Sequence, residues 1–352
     1  MKVQQPPPQI GVITNPNSKK NRAHPERYET MKRLVGDLGL VKRTHHTGEI
    51  ADVVRNFLDA GVPYWLADGG DGAFHWLVNV LFQVLAERGH TGPLPAIMPT
   101  NAGTIDFIGR KAGVVGHTES LIVALANQLR AGQQPEVVTL DSLLVRGTYG
   151  DDSDFPGKPF HKIGFAAALA GVSQRVFDKF YAQENQSGLG VVEVVAKTLG
   201  STASQSPFLR WVPMPVTWRH FADTIFEPMP LDVEIDGVPQ KTKMYRDLDV
   251  GAIDLNLAGV FRFFPHAAEP GVLHVQGGDV QPYEVATNLH RMVSGKPLKI
   301  KNYFQGPCKN VKAVAREGRT IDPVIDGELY YGLTDVEVTP GPAVRVVVVR
   351  GE

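Results

Sequence analysis

The chain has 352 residues, enough for two domains, and its hydrophobic and charged fractions (43% and 21%) are those of an ordinary globular protein. The 36 basic residues nearly cancel the 37 acidic ones, so no broad attraction to nucleic acid or anionic lipid follows from charge. A single cysteine, Cys308, excludes an intrachain disulfide and fits a reducing, cytoplasmic setting.

The Pro/Gln-rich start, Met1 to Gln9, lacks the apolar core of a signal peptide. No apolar run reaches the length of about 18 residues that a membrane-spanning helix needs, so anything membrane-derived would have to be reached from the surface. Ile10 to Thr14 reads as a strand ending in the polar turn Asn15-Pro16-Asn17-Ser18-Lys19-Lys20. Tyr28, Met31, Leu34, Val35 and Leu38 then recur at helical spacing. Val41 to Thr44 predicts a second strand, and Ile50, Val53, Val54 and Phe57 a helix with Thr47 as its N-cap. The pair His45-His46 reads as a solvated turn, because no His or Cys stands at zinc-ligand spacing from it.

The third unit is the focus. Val62 to Leu66 predicts a buried strand, and Phe74, Leu77, Val78, Leu81 and Leu85 a helix. Between them stands Asp68-Gly69-Gly70-Asp71-Gly72. Glycines at a strand-to-helix turn permit positive φ and close approach of a ligand. The helix N-terminus adds unpaired N–H groups and a partial positive charge, which together make a phosphate seat. The plain alternative is a tight glycine turn with a surface aspartate. A fourth strand, Leu94 to Met98, leads into Pro99-Thr100-Asn101-Ala102-Gly103-Thr104-Ile105-Asp106-Phe107, and Leu121 to Leu129 mark the next helix. Alternating strands and helices argue a doubly wound, mostly parallel α/β sheet with its polar turns at the carboxyl ends of the strands.

Near Gln133-Gln134-Pro135 the texture changes. The runs Val137–Leu144, Leu231–Ile235, Ala252–Leu257, Val272–Val275, Val311–Ala315 and Val344–Val349 are short and β-like. The turns Asp236-Gly237, Gly277-Gly278-Asp279 and Asp326-Gly327 separate such runs, which predicts an antiparallel sandwich or barrel. Ala-rich Ile163–Phe180 predicts one intervening helix, continued by Val191–Leu199. Ser201 to Pro230 is broken by prolines. Its Trp211, Trp218, Phe221 and Phe226 read equally as a lipid-facing lip or as packing.

One ordered set of motifs narrows the reading. Asn15-Pro16-x-Ser18, Thr47-Gly48-Glu49, Gly69-Gly70-Asp71-Gly72 with Asn79, Ala102-Gly103-Thr104-x-Asp106 and Ile325-Asp326-Gly327-Glu328 follow in an order that resembles the diacylglycerol kinase catalytic-domain superfamily. That group includes the sphingosine and ceramide kinases. The resemblance implies an ATP-binding α/β domain (1–136) and a β-sandwich lipid-substrate domain (137–352) whose last strands return toward an active-site cleft between the two. It implies ATP and Mg²⁺ as cofactors, a membrane lipid as partner through peripheral contact, and no nucleic acid; a homodimer is left open. The nucleotide contacts it implies fall on Asn15, Pro16, Asn17, Ser18, Lys19, Thr47, Gly69, Gly70, Asp71, Gly72, Ala73, His75, Gly103 and Thr104. It implies Glu328 as the base that takes the substrate hydroxyl's proton, and Asp71 as a second catalytic group that holds Mg²⁺ or that hydroxyl. For Glu328 the plain alternative is the acidic end of a hairpin. Ile235-Asp236-Gly237-Val238 has the same look without the Glu and reads as a plain turn.

Several positions depart from the family pattern. Ala73 replaces a threonine, His75 and Trp76 stand where Asn-Glu is common, and Lys19 replaces a glycine. Asp106 matches the ceramide kinase version of the fourth motif, which makes it a substrate-binding candidate and tips the lipid toward ceramide. Ala166 to Ala170 lack the acids that sphingosine kinases use for an amino head group, which argues for a neutral lipid. The loop that holds a structural metal in bacterial relatives matches Pro265 to Gly271, where Glu269 is the one acid. An NAD kinase-like phosphotransferase and a nucleotide-binding regulator without turnover are the rival readings.

Overall fold

The computed structural model describes residues 7–103, 106–181, 197, 201, 224–257 and 261–351. The chain divides into two compact units, residues 1–140 with 343–352, and residues 141–342.

The first unit opens with β1 (Ile10–Thr14), α1 (Lys19–Ala23), α2 (Arg27–Val35), β2 (Gly39–Arg43), α3 (Ile50–Asp59), β3 (Tyr64–Asp68) and α4 (Asp71–Glu87). It continues with β4 (Ala96–Pro99), α5 (Phe107–Ala112), α6 (Thr118–Arg130) and β5 (Glu136–Leu140), and is completed by β21 (Val344–Val348). The sheet order is β2-β1-β3-β4-β21-β5. All neighbours pair in parallel except β5 with β21. β1, β3 and β4 are buried along nearly their whole length, as a sheet covered on both faces requires. The chain steps from β1 to one side for β2 and to the other for β3. The carboxyl ends of β1 and β3 therefore flank the topological switch point, where open α/β sheets form their ligand crevice.

In the second unit β6 (Leu143–Tyr149), β7 (Pro159–Gly164), β8 (Ala166–Gly171) and α7 (Val172–Tyr181) come first. They are followed by β9 (Met229–Ile235), β10 (Val238–Pro239), β11 (Met244–Tyr245), β12 (Asp247–Gly251), β13 (Leu255–Leu257), β14 (Phe261–Phe263) and β15 (Leu273–Gly278). The rest is α8 (Pro282–Ser294), β16 (Tyr303–Cys308), β17 (Val311–Ala315), β18 (Val324–Ile325), β19 (Glu328–Leu329) and β20 (Leu333–Pro340). One antiparallel sheet has the order β10-β9-β17-β20-β6-β7, and a second has β16-β15-β12-β8-β18-β19. Leu143, Val145, Leu231, Val233, Val311 and Val336 from the first meet Ala167, Leu169, Leu248, Val250, Leu273 and Val275 from the second in one core. That is a β-sandwich, with alternate residues of each strand facing inward.

Two expectations change. The helix expected over Ile163–Phe180 is mostly strand: β7 and β8 occupy 159–171, and only Val172–Tyr181 is helical. The run Ala166–Ala170 is paired on both sides, by β12 and β18, and α7 also packs on β8. Such a strand shows no alternation, and a short apolar run of this kind cannot be told from a buried helix by period. Gly171 ends it at φ +85°, where a Cβ would meet the Arg246 carbonyl oxygen at 2.0 Å. The run Val137–Leu144, read as one strand, is two. β5 joins the first sheet beside β21, and β6 joins the sandwich after Asp141-Ser142. Val191–Leu199 (apart from Lys197), Trp211, Trp218 and Phe221 lie outside the described residues. Phe226 is buried against Ile225, Val172, Val176 and Val285, so this member of the aromatic group is packing.

Candidate phosphate-binding site

Four turns at the carboxyl ends of β1, β2, β3 and β4 form the site within the first unit. The first begins with Asn15, whose Oδ1 accepts the Asn17 N–H at 2.8 Å. Ser18 caps α1, its Oγ accepting the Asn21 N–H at 3.3 Å. Lys19 opens that helix. Pro16 lines a cleft of about 200 Å³ with Thr14, Arg22, His24, Tyr28 and Arg43. Arg43 stacks on the Tyr28 ring at 3.7 Å, so the cleft offers guanidinium groups beside the turn. Asn17 ties the first turn to the second, donating from Nδ2 to the His45 carbonyl at 2.9 Å. Thr47 is exposed in the short 3₁₀ turn Thr47–Glu49, which corrects its expected place as N-cap of α3. After residues 44–46 the backbone enters 3₁₀ geometry at Thr47, so α3 starts at Ile50 with its cap site taken by Glu49.

The third turn carries Gly69, Gly70, Asp71, Gly72 and Ala73. None of its glycines has positive φ; Gly70 sits at −90°. They serve close packing instead, which corrects the expected left-handed turn. A Cβ on Gly70 would lie 2.4 Å from the Gly103 Cα, one on Gly103 would lie 2.5 Å from the Gly70 Cα, and one on Gly69 would lie 2.5 Å from the Ala73 Cβ. The third and fourth turns therefore touch backbone to backbone. Thr100 strengthens the contact by accepting the Gly69 N–H at 3.2 Å and donating to the Ala67 carbonyl at 2.9 Å. The 17-residue α4 starts at Asp71 directly after Gly70, and the N-terminal end of such a helix attracts anions. Ala73 is exposed on that first turn. His75, by contrast, is 1% exposed.

Asp71 is also turned inward. It is buried, and its Oδ2 and Oδ1 accept the backbone N–H groups of Phe107 and Ile108, each at 3.1 Å. It thereby caps α5 from another element. Asp106 precedes α5 in left-handed geometry, φ +53°, and its Oδ1 accepts the Gly103 N–H at 2.9 Å. Burial raises the Asp106 carboxyl above the usual range, opposed by the Gly103 bond and by Arg110 and Lys20. Thr104 lies outside the described residues.

Sequence reasoning passed over the group under these turns. Asp68 is buried and takes four donors: Thr14 Oγ at 2.6 Å, Asn21 Nδ2 at 3.1 Å, Arg27 Nη2 at 3.0 Å and Thr118 Oγ at 2.9 Å. Asn21 also donates to the Asn15 carbonyl at 2.8 Å and accepts from Arg27. Arg27 Nε reaches Glu119 at 2.6 Å. Burial opposes the Arg27 charge, yet the bonds to Glu119 and Asp68 outweigh it and raise its pKa. Burial likewise opposes charge on Glu119, and Arg27 outweighs it, so that carboxyl is held below the usual range. The network fixes β1, α1, α2, β3 and α6 to one another at the switch point. A signal for Asp68 was present, a carboxylate at the last position of a buried strand; nothing in the local sequence singles out Arg27 or Thr118.

Among the described residues no group of three His, Cys, Asp or Glu side chains could hold a metal. Asp71 spends both oxygens on α5, and Glu269 stands alone at the end of a 3₁₀ turn. The donor-rich turns, the N-terminal end of α4 and the Arg22/Arg43 cleft do fit an anionic phosphate chain.

In the second unit Glu328 is half-buried and opens β19 after a two-residue hairpin loop. Asp326 and Gly327 both have positive φ, +52° and +88°, as a type I′ loop requires. Asp326 Oδ1 accepts the N–H groups of Phe165 and Ala166 at 2.8 and 3.0 Å.

The family model of the diacylglycerol kinase catalytic domain matches residues 9–137. No curated protein matches the chain. Among solved structures, a provisionally assigned diacylglycerol kinase of Bacillus anthracis str. Sterne superposes with a TM-score of 0.61 at 14% identity, over 97% of this chain and 96% of that one. A diacylglycerol kinase of the same organism gives 0.57 at 12%, over 97% and 96%. Yeast NADH kinase complexed with NADH gives 0.50 at 9%, over 98% and 84%. At these identities the structural likeness is one of fold. Residues 9–137 thus resemble the diacylglycerol kinase catalytic domain, and the chain shares the fold of these solved structures.

Proposed function

We propose that the protein is an ATP-dependent lipid kinase that phosphorylates the primary hydroxyl of a neutral membrane lipid. The observation that carries this reading is the set of four joined turns over residues 14–106, inside the segment that matches the catalytic-domain family. In this reading the first unit holds ATP through backbone N–H groups, Asn and Ser side chains, and the α4 N-terminus. Glu328, from the second unit, accepts the hydroxyl proton. The lipid oxygen forms a bond to the γ-phosphorus as the bond from that phosphorus to the β–γ bridging oxygen breaks, and ADP leaves. Such transfer depends mainly on positioning and charge neutralisation. Mg²⁺ would accompany the ATP phosphates and supply charge neutralisation there.

Ceramide and diacylglycerol are the acceptors of this class. The preference for ceramide rests on the identity of Asp106, whose carboxylate orders the Gly103 turn. No described helix is long and apolar enough to cross a membrane, which is compatible with peripheral contact. The test is phosphate transfer from ATP to ceramide, diacylglycerol, monoacylglycerol and sphingosine in mixed micelles, with NAD as a further acceptor. Product on ceramide or diacylglycerol supports the reading. Product on NAD alone favours a dinucleotide kinase, and ATP binding with no product on any acceptor favours a regulator; either contradicts it.

A further inference from the structure

The two Asp-Gly hairpins of the sandwich are built alike. In the first, Asp236 and Gly237 have φ of +49° and +81°. Asp236 Oδ1 accepts the N–H groups of Lys309 and Asn310, both at 2.8 Å, and the Asp236 N–H donates to the Asn310 carbonyl at 2.9 Å. In the second, Asp326 Oδ1 accepts from Phe165 and Ala166, and the Asp326 N–H donates to the Ala166 carbonyl at 3.0 Å. Each aspartate thus pins its loop to the end of a neighbouring strand by three bonds.

The hairpins differ in what they carry. The first leads to Val238, which is 61% exposed, and Asp236 itself is exposed. The second leads to Glu328, and Asp326 is 5% exposed. Its surroundings leave no slack. A Cβ on Gly164 would stand 2.3 Å from Ile325 Cγ2 and 3.1 Å from Asp326 Oδ2. β18 is held by Ala167 and Ala168 in fixed register, and Ile325 pairs directly with Glu328.

We infer that Asp326 is a positioning residue for phosphoryl transfer: it anchors the hairpin to Phe165-Ala166 and so fixes where Glu328 begins. The inference rests on the proposed role of Glu328 as base. One oxygen of Asp326 takes both N–H groups, so the work is done by an acceptor and not by a negative charge. Asparagine offers the same carbonyl oxygen and tolerates positive φ; alanine offers no acceptor and is strained there. A metal-binding or proton-transferring Asp326 would need the charge.

The experiment compares Asp326→Asn, Asp326→Ala and the matched control Asp236→Ala in the full chain. Steady-state kinetics are measured on the best lipid acceptor, with amide hydrogen exchange at Phe165 and Ala166. Asp326→Ala is expected to lower kcat by about 10- to 100-fold, the scale of a misplaced catalytic group, with KM for ATP unchanged. It also loses protection at both amides. Asp326→Asn keeps the protection and stays within about threefold of wild-type kcat, and Asp236→Ala leaves kcat unchanged. Asparagine failing as badly as alanine, or alanine keeping wild-type kcat, overturns the inference. If wild-type protein phosphorylates no lipid, the functional reading fails; exchange still decides the anchoring, and unchanged protection in Asp326→Ala refutes it.

Discussion

Asp71 Oδ1 accepts the backbone N–H of Ile108 at 3.1 Å, across 37 positions of sequence. With the Oδ2 bond to Phe107, this makes the central aspartate of the Gly-Gly-Asp-Gly turn a cap for α5. Its first duty is to hold the fourth turn against the third. Asp71→Ala is therefore expected to destabilise the protein by about 1–3 kcal/mol, the cost of removing a cap and leaving buried N–H groups unpaired. Asp71→Asn, which keeps one acceptor, should cost less. Urea unfolding of both variants checks this, and wild-type stability in the alanine variant would contradict it.

The backbone contact between Gly70 and Gly103 gives a second prediction. Neither position can take a Cβ without moving the other turn, because the clash is with main chain and not with a flexible side chain. Gly70→Ala and Gly103→Ala should each weaken ATP binding at least about tenfold, a loss of roughly 1.4 kcal/mol. Each should also lower the melting temperature. Calorimetric titration with ATP and thermal unfolding measure the two effects separately.

The sandwich carries a pH dependence of its own. Asp247 and Asp249 lie buried on one face of β12, and the Ser173 hydroxyl is within bonding distance of both, at 3.2 and 2.8 Å. Tyr303 donates to Asp247, Gln276 reaches Asp249 at 3.4 Å, and Asp249 Oδ1 has no hydrogen-bond partner among the described residues. Burial pushes Asp247 up to about 6, and burial together with the Asp247 charge pushes Asp249 well above the usual carboxylate range. A carboxyl whose folded pKa exceeds its unfolded one binds protons more tightly in the native state. Stability then falls as pH rises from the ordinary carboxylate range through about 6 and beyond. Asp249→Asn mimics the protonated acid, so it should raise the melting temperature at pH 8 by about 2–6 °C and flatten that fall. Melting curves from pH 5 to 8 test it; an unchanged slope would contradict it.

Glu119 gives the opposite sign at the other end of the scale. Arg27 holds its carboxyl below the usual range, so its contribution is present above that range and lost as pH falls through the folded value. Arg27→Ala removes that contribution and also strips one donor from buried Asp68. It should cost about 3–5 kcal/mol, as breaking a buried ion pair does. The loss is read by urea unfolding at pH 7, and a cost below about 1 kcal/mol would contradict it.

The strand-turn-helix units were legible because periodicity and turn chemistry agree there. β1 to β4 end in polar turns, and α3, α4 and α6 show clear apolar spacing. The Ala166–Ala170 strand was not legible, because a strand buried on both faces lacks the alternation that marks one. The site divided in the same way. The turns could be located, but the direction of each side chain could not. Asp71, His75 and Asp106 all look exposed in a glycine-rich stretch, and all three are buried. The Asp68–Arg27–Glu119 network joins residues up to 92 positions apart, and no local pattern encodes it.

The proposed phosphoryl transfer depends on Glu328 as its base. The rate of γ-phosphate transfer to ceramide and diacylglycerol is measured for wild-type protein and Glu328→Gln side by side, with melting temperatures as a check on folding. Wild-type protein is expected to yield a lipid phosphate, and the variant to lose about 10²–10⁴-fold in kcat, the usual worth of a general base. Melting temperatures should be unchanged. A wild-type protein that phosphorylates neither lipid, or a variant as fast as wild type, would contradict it.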